Sequence, residues 1–140
     1  MTAESFQIGF KIQKEIFGDE FPQRAIDRTT PLSRPFQEAL VGFTFGEVWA
    51  RPHLTRDMRS LLTCAMLIAL NRPDQLRNHV RGALNNGCTK EQIVEVCIHA
   101  LAYCGAPLSV SAHGTVIDEL QKLGLEPVPA LPPLTPTVKK

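Results

Sequence analysis

Vicinal cysteines, a charge excess of either sign and long apolar runs are all missing from this chain of 140 residues. The four cysteines form no CxxC, so thiol–disulfide exchange lacks its usual resolving pair. Lys and Arg number 15 against 14 Asp and Glu, and they are interspersed, which leaves no basic footprint for nucleic acid. No apolar run approaches the ~20 residues of a membrane span. The opening MTAESFQIGFKIQ lacks the apolar centre of a signal peptide, so the expected location is the cytoplasm. HExxH, a phosphate-cradling glycine loop and a nucleophile elbow are absent, and no stretch alternates like a strand.

What remains is helical punctuation. Phe6, Phe10, Ile16 and Phe17 recur near a helical period over 4–17, and Gly18 suits the left-handed stop. The turn-rich segment 18–32 reads as loop. Ser33 is placed to cap a second helix with Pro35 in its first turn, ending before Arg51-Pro52. Thr55 starts a third, apolar nearly all round from Leu61 to Leu70, which predicts burial in a core or a subunit interface. The fourth runs from Pro73 to about Asn85, where Asn-Asn-Gly stops it. Thr89 and Gln92 form a capping box for the fifth, which reaches about Cys104. Gly105-Ala-Pro107 separates it from a sixth that extends to Gly124. The expected fold is all-α, six helices in one domain over 1–124, followed by a proline-rich tail over 125–140. Cys97 and Cys104 lie seven apart on one helix, ~10 Å along its axis and too far for a bridge, so the cysteines are expected as small buried residues.

Candidate chemistry concentrates near His79. Stepping ~100° per residue from Leu76 places Val80, Ala83 and Leu84 in one apolar stripe and His79 on its shoulder. There it serves either as a histidine satisfied at a packing edge or as a general acid or base with a pKa near neutrality. Glu47 stands near a helix C-terminus, the end the dipole does not favour for a carboxylate. Arg51, Arg59 and Arg72 flank helix ends and can grip an anion in bidentate fashion. His99 and Tyr103 share one flank of the fifth helix and can line the same cleft or pack on one another. His53 and His113 are isolated, and none of these residues has a metal-ligand spacing, so no metal is expected.

The runs GEVWARPHL, RSLLT, NHVRGALNNGCTKEQIVEV and AYCGAP, with the FGDE turn after the first helix, resemble the carboxymuconolactone decarboxylase family across most of residues 5–123. Its alkylhydroperoxidase-like cousins carry a CxxC three residues before a histidine. Here those positions are Arg72 and Gln75, ahead of His79, and the cousins' glutamate falls at or near Ser60. The resemblance therefore implies a decarboxylase and not a peroxidase, on an alkylhydroperoxidase-like helical bundle assembled as trimers or hexamers.

The implied activity is decarboxylation of 4-carboxymuconolactone with no cofactor. The implied roles are His79 as acid, Glu47 orienting it or carrying a second proton, and Arg51 and Arg59 clamping a carboxylate. Trp49 and Tyr103 would shape the pocket, with His99 beside them. Related decarboxylases often carry an arginine near Gln13, where the basic residue is here Lys14. That departure leaves another carboxylated lactone or oxo-acid as an alternative substrate. A non-catalytic helical assembly subunit is the reading from a different class.

Overall fold

Two hydrophobic clusters meet along one helix, and that helix carries His79. The computed structural model describes residues 2–127. Among these the chain forms α1 (Ala3–Phe17), α2 (Glu20–Asp27), α3 (Arg34–Ala39), a π-helical segment (Leu40–Trp49), α4 (Arg56–Ala69), α5 (Pro73–Asn85), α6 (Lys90–Cys104) and α7 (Ala106–Lys122), with no strand. The all-α expectation holds, and the count of six does not. The segment 18–32, expected as loop, contains α2: Pro22 sits in its first turn, where a missing N–H costs nothing, and is buried. Most of the proline-rich tail, 128–140, lies outside the described residues.

The caps follow the sequence in most places. Thr89 and Gln92 form the reciprocal box that starts α6. Gly18, Gly87, Gly105 and Gly124 all take positive φ at helix ends. Ser33 does not cap α3 with its side chain. Its hydroxyl instead accepts from the Thr30 N–H at 2.9 Å, and Thr30 Oγ1 accepts from the Ser33 N–H. The box therefore begins three residues earlier, because Thr30 offers Ser33 a partner of its own.

The larger cluster joins α4, α5, α6 and α7 through Cys64, Ile68, Leu76, Val80, Ile93, Cys97, Val116 and Leu120. Cys64, Cys88 and Cys97 are buried, as expected of small apolar side chains, whereas Cys104 at the end of α6 is only half-buried. Burial pushes the Cys64 thiol up to about 12 and Cys97 to about 11, so neither supplies a thiolate near neutrality. The smaller cluster joins α1 to the π segment through Ile12, Ile16, Phe45 and Trp49, with Phe17 against it.

Glycines set how closely these layers approach. A Cβ on Gly9 would lie 2.1 Å from the Val41 carbonyl oxygen, and one on Gly46 would lie 1.9 Å from that of Ser5. The backbones of α1 and the π segment are thus in direct contact. Gly82 lets α5 approach the side chains of α1, since a Cβ there would stand 2.6 Å from Ile16 Cγ2. The Asn85 side chain adds a hydrogen bond to the Ile16 carbonyl at 2.7 Å.

The rotation of α5 is fixed from its other flank. Arg81 pairs with Glu119, which is 1% exposed, and Arg77 with Asp118, both across to α7. With the arginines held there, the opposite shoulder of α5 presents His79 to α1 and the π segment.

Candidate active site

His79 stands where the two clusters meet. Its ring lies edge-on to Phe17, centroids 5.1 Å apart, and 6.5 Å from the Trp49 ring. Phe45 stacks on Trp49 at 5.9 Å and meets Phe17 edge-on at 6.0 Å, closing an aromatic wall around the imidazole. Each of the three aromatics reaches the wall by helical spacing: Phe17 ends α1, and Phe45 and Trp49 are four apart in the π segment. The shoulder position expected of His79 is the one observed. Its main partner, Phe17, lies 62 positions away in sequence and has no local signal.

This apolar setting acts on the imidazole. Burial pushes the His79 pKa down from its usual 6.5 to about 4, because the charged ring loses water. The imidazole is therefore neutral at physiological pH.

The sign for stability follows. Between pH 6.5 and 4 the unfolded chain takes a proton that the folded protein refuses, so stability falls as pH drops through that window. The full effect is ~3 kcal/mol. Urea unfolding at pH 7 and pH 4.5 should show a smaller loss for His79→Gln than for the wild type. Equal losses would mean that the burial of this ring does not govern its titration.

The Arg51 carbonyl, two residues past Trp49, accepts from Arg59 Nη2 at 3.0 Å. That bond ties the Arg59 guanidinium to the turn that follows the π segment, and its Nε is buried without a partner among the described residues. Arg51 and Glu47 are exposed side chains bracketing the buried Trp49. One turn before Arg59, Arg56 reaches back to Glu15 on α1 at 3.4 Å, which draws the start of α4 along the end of α1.

Not every expected residue joins this group. His99 and Tyr103 pack on one another at 5.0 Å on α6, and Tyr103 is 79% exposed. Helix α6 packs on α4, α5 and α7, while the niche is built from α1, the π segment and α5. Within one subunit Tyr103 and His99 therefore do not line the His79 cleft. They share a flank of their helix, but that flank faces outward. Arg72 is exposed at the start of α5 beside a groove of about 330 Å³ that also borders α4 and α7. His53 and His113 are exposed and separate. Among the described residues no three His, Cys, Asp or Glu side chains cluster as a metal site requires.

Phe17 and Phe45 were not singled out as pocket residues by sequence; Gln13, which the sequence marked only as the place of a missing arginine, is buried on α1. The small residue at 82, three places after His79, was the one available signal that another helix comes close there.

The profile of the carboxymuconolactone decarboxylase family matches residues 34–114, a span that includes the π segment, the Arg51–Arg59 contact and His79. The chain belongs to this family. It is 36% identical over 124 residues to a 4-carboxymuconolactone decarboxylase of Acinetobacter baylyi, covering 89% of this chain and 92% of that one. It is also 41% identical over 107 residues to a nitrosuccinic acid decarboxylase of Metarhizium robertsii, covering 76% and 75%. Both relatives are carboxy-lyases. Arg72 and Gln75, where the sequence resemblance would put the cousins' thiol pair, are both exposed at the start of α5.

Proposed function

We propose that the chain decarboxylates 4-carboxymuconolactone to the 3-oxoadipate enol-lactone, with His79 delivering the proton. The observation that carries the substrate is the likeness to a 4-carboxymuconolactone decarboxylase along nearly the whole of both chains. The chemistry needs no electron sink beyond the substrate. The departing carboxylate sits on the γ-carbon of an unsaturated lactone. As its C–C bond breaks, the electron pair moves through the ring double bond onto the lactone carbonyl oxygen. Protonation of the resulting dienolate at the α-carbon gives the product.

The niche supports each step. Arg59, with Arg51 beside it, holds the side-chain carboxylate. The leaving carboxylate faces Phe17 and Trp49, where a charge is poorly solvated and neutral CO2 is not. An anionic substrate against His79 reverses the effect of burial and raises the imidazole pKa, so proton and substrate enter together. Glu47 orients the ring or relays a second proton. Because the free ring titrates at about 4, kcat/KM should fall as pH rises through and above about 4, while kcat, which follows the raised pKa of the complex, holds to higher pH.

Nitrosuccinic acid is the second reading, favoured by the 41% identity to the second relative. A nitro group beside a carboxylate is likewise a built-in sink: loss of CO2 leaves the electron pair on the nitro oxygens. The same niche would serve. Assaying purified protein with freshly generated 4-carboxymuconolactone and, separately, with 2-nitrosuccinate decides between them by kcat/KM. Turnover of neither would sink the proposal.

The working form is a cytoplasmic homo-oligomer, a trimer or hexamer. Its support is the stripe Met58, Leu62, Met66 and Leu70 on α4, with Leu70 66% exposed, continued by Ile98 and Leu101 on α6. Such a surface is poorly tolerated by a lone small bundle. Light scattering after gel filtration should show Leu62→Glu/Met66→Glu as a folded monomer. An oligomer of unchanged mass would move the interface elsewhere.

A further inference from the structure

The chemistry above leaves one role unfilled: a donor for the oxygen that becomes negative when CO2 leaves. Gln13 is positioned for it. Its side chain is 6% exposed, and its Oε1 is buried with no hydrogen-bond partner among the described residues. A buried amide without a partner is destabilising, and such groups persist where something other than stability retains them.

Its place on α1 gives the direction. Gln13 precedes Phe17 by one helical turn, so the two side chains share a flank. Phe17 is the residue whose ring edge meets His79. Ile12 and Ile16, next to that flank, pack against Phe45 and Trp49. A half-turn about the last side-chain bond exchanges Oε1 and Nε2, so the unpartnered position can present an N–H donor.

We propose that the Gln13 side-chain amide lines the His79 niche and donates a hydrogen bond to the developing oxyanion of the substrate. This deepens the proposed decarboxylation and rests on it. The acceptor is the lactone carbonyl oxygen in one substrate and a nitro oxygen in the other, each gaining a full charge as its C–C bond breaks. A neutral donor suits that task, since it adds no attraction for the carboxylate that must leave. The contact strengthens only as charge develops, so it acts on kcat more than on KM.

The test is Gln13→Leu, nearly isosteric and without polar atoms. With the substrate that the wild type turns over, kcat should fall ~100-fold with KM changed only a few-fold. Thermal stability should stay level or rise, since an unsatisfied buried amide has been removed. A kcat within threefold of wild type, or a melting temperature lowered by several degrees, would overturn the assignment.

A binding arm separates this from the parent reading. Propionate 3-nitronate, a stable anion shaped like the decarboxylated intermediate, is titrated by the fluorescence of Trp49, the single tryptophan. The wild type should bind it at least tenfold more tightly than Gln13→Leu. Equal affinities would remove Gln13 from the site even if the wild type is an active decarboxylase. Absent turnover with a retained difference in affinity would sink the decarboxylation and keep the contact.

Discussion

His79→Ala is expected to lower kcat by ~100-fold or more while leaving a folded protein, because a positioned proton donor contributes at least that much. The ring is half-buried on the shoulder of α5, away from the Leu76, Val80 and Ala83 stripe that forms the core. Truncation therefore opens the aromatic niche and leaves the main cluster intact. The loss should appear in kcat with either substrate, since the dienolate and the nitronate both wait on a proton at carbon. His79→Gln keeps the volume and a hydrogen bond but cannot transfer a proton, so it should be as slow as alanine. Substantial activity in His79→Gln, measured beside unchanged circular dichroism, would reassign the proton to Glu47 or to solvent.

Gly46→Ala should have the largest effect on the fold. The added methyl group would sit 1.9 Å from the Ser5 carbonyl oxygen and 2.7 Å from its carbon. Both are backbone atoms of α1, so no side chain can swing aside; the helix itself has to leave the π segment. Relief of that overlap separates Ile12 and Ile16 from Phe45 and Trp49, and with them one wall of the His79 niche. A destabilisation of at least ~3 kcal/mol is expected, read as a melting temperature ~10 °C or more below wild type. Gly114→Ala is the control. It lies within α7, a Cβ there meets nothing within 4 Å, and the helix should gain ~0.5–1 kcal/mol. A Gly46→Ala protein as stable as wild type would show that α1 and the π segment are not held in backbone contact.

Helix ends were legible because they are written locally. Thr89–Gln92, Gly18, Asn85–Gly87 and Gly105–Pro107 each settle a boundary within a few residues, and each boundary lies where it was expected. Segment 18–32 was misread because its residues suit turns as well as they suit a short helix. The π geometry of Leu40–Trp49 left no mark that a 3.6-residue period would detect over ten residues. His79 could be placed on its shoulder from α5 alone. What it faces depends on Gly82 admitting α1, a contact between segments 66 residues apart in sequence. Tyr103 and His99 fail for the complementary reason: their shared flank was visible, but only packing reveals that it points outward.

Family membership was readable from ordered motifs, and the absent thiol pair at Arg72 and Gln75 separated decarboxylase from peroxidase chemistry. The buried thiols of Cys64 and Cys97 agree with that separation, since burial holds both protonated. The unpartnered Gln13 amide lay beyond sequence, because nothing local says whether a buried amide finds a partner.

The central claim is that the niche removes CO2 and then returns a proton to carbon from His79. Turnover of 4-carboxymuconolactone in D2O, with the product read by deuterium NMR in a chiral orienting medium that separates the two enantiotopic α-positions, tests it most directly. The wild type should place one deuterium at the α-carbon of the enol-lactone, on a single face of the ring. A product labelled equally on both faces would mean that the dienolate takes its proton from bulk solvent, and His79 would have no part in the step assigned to it.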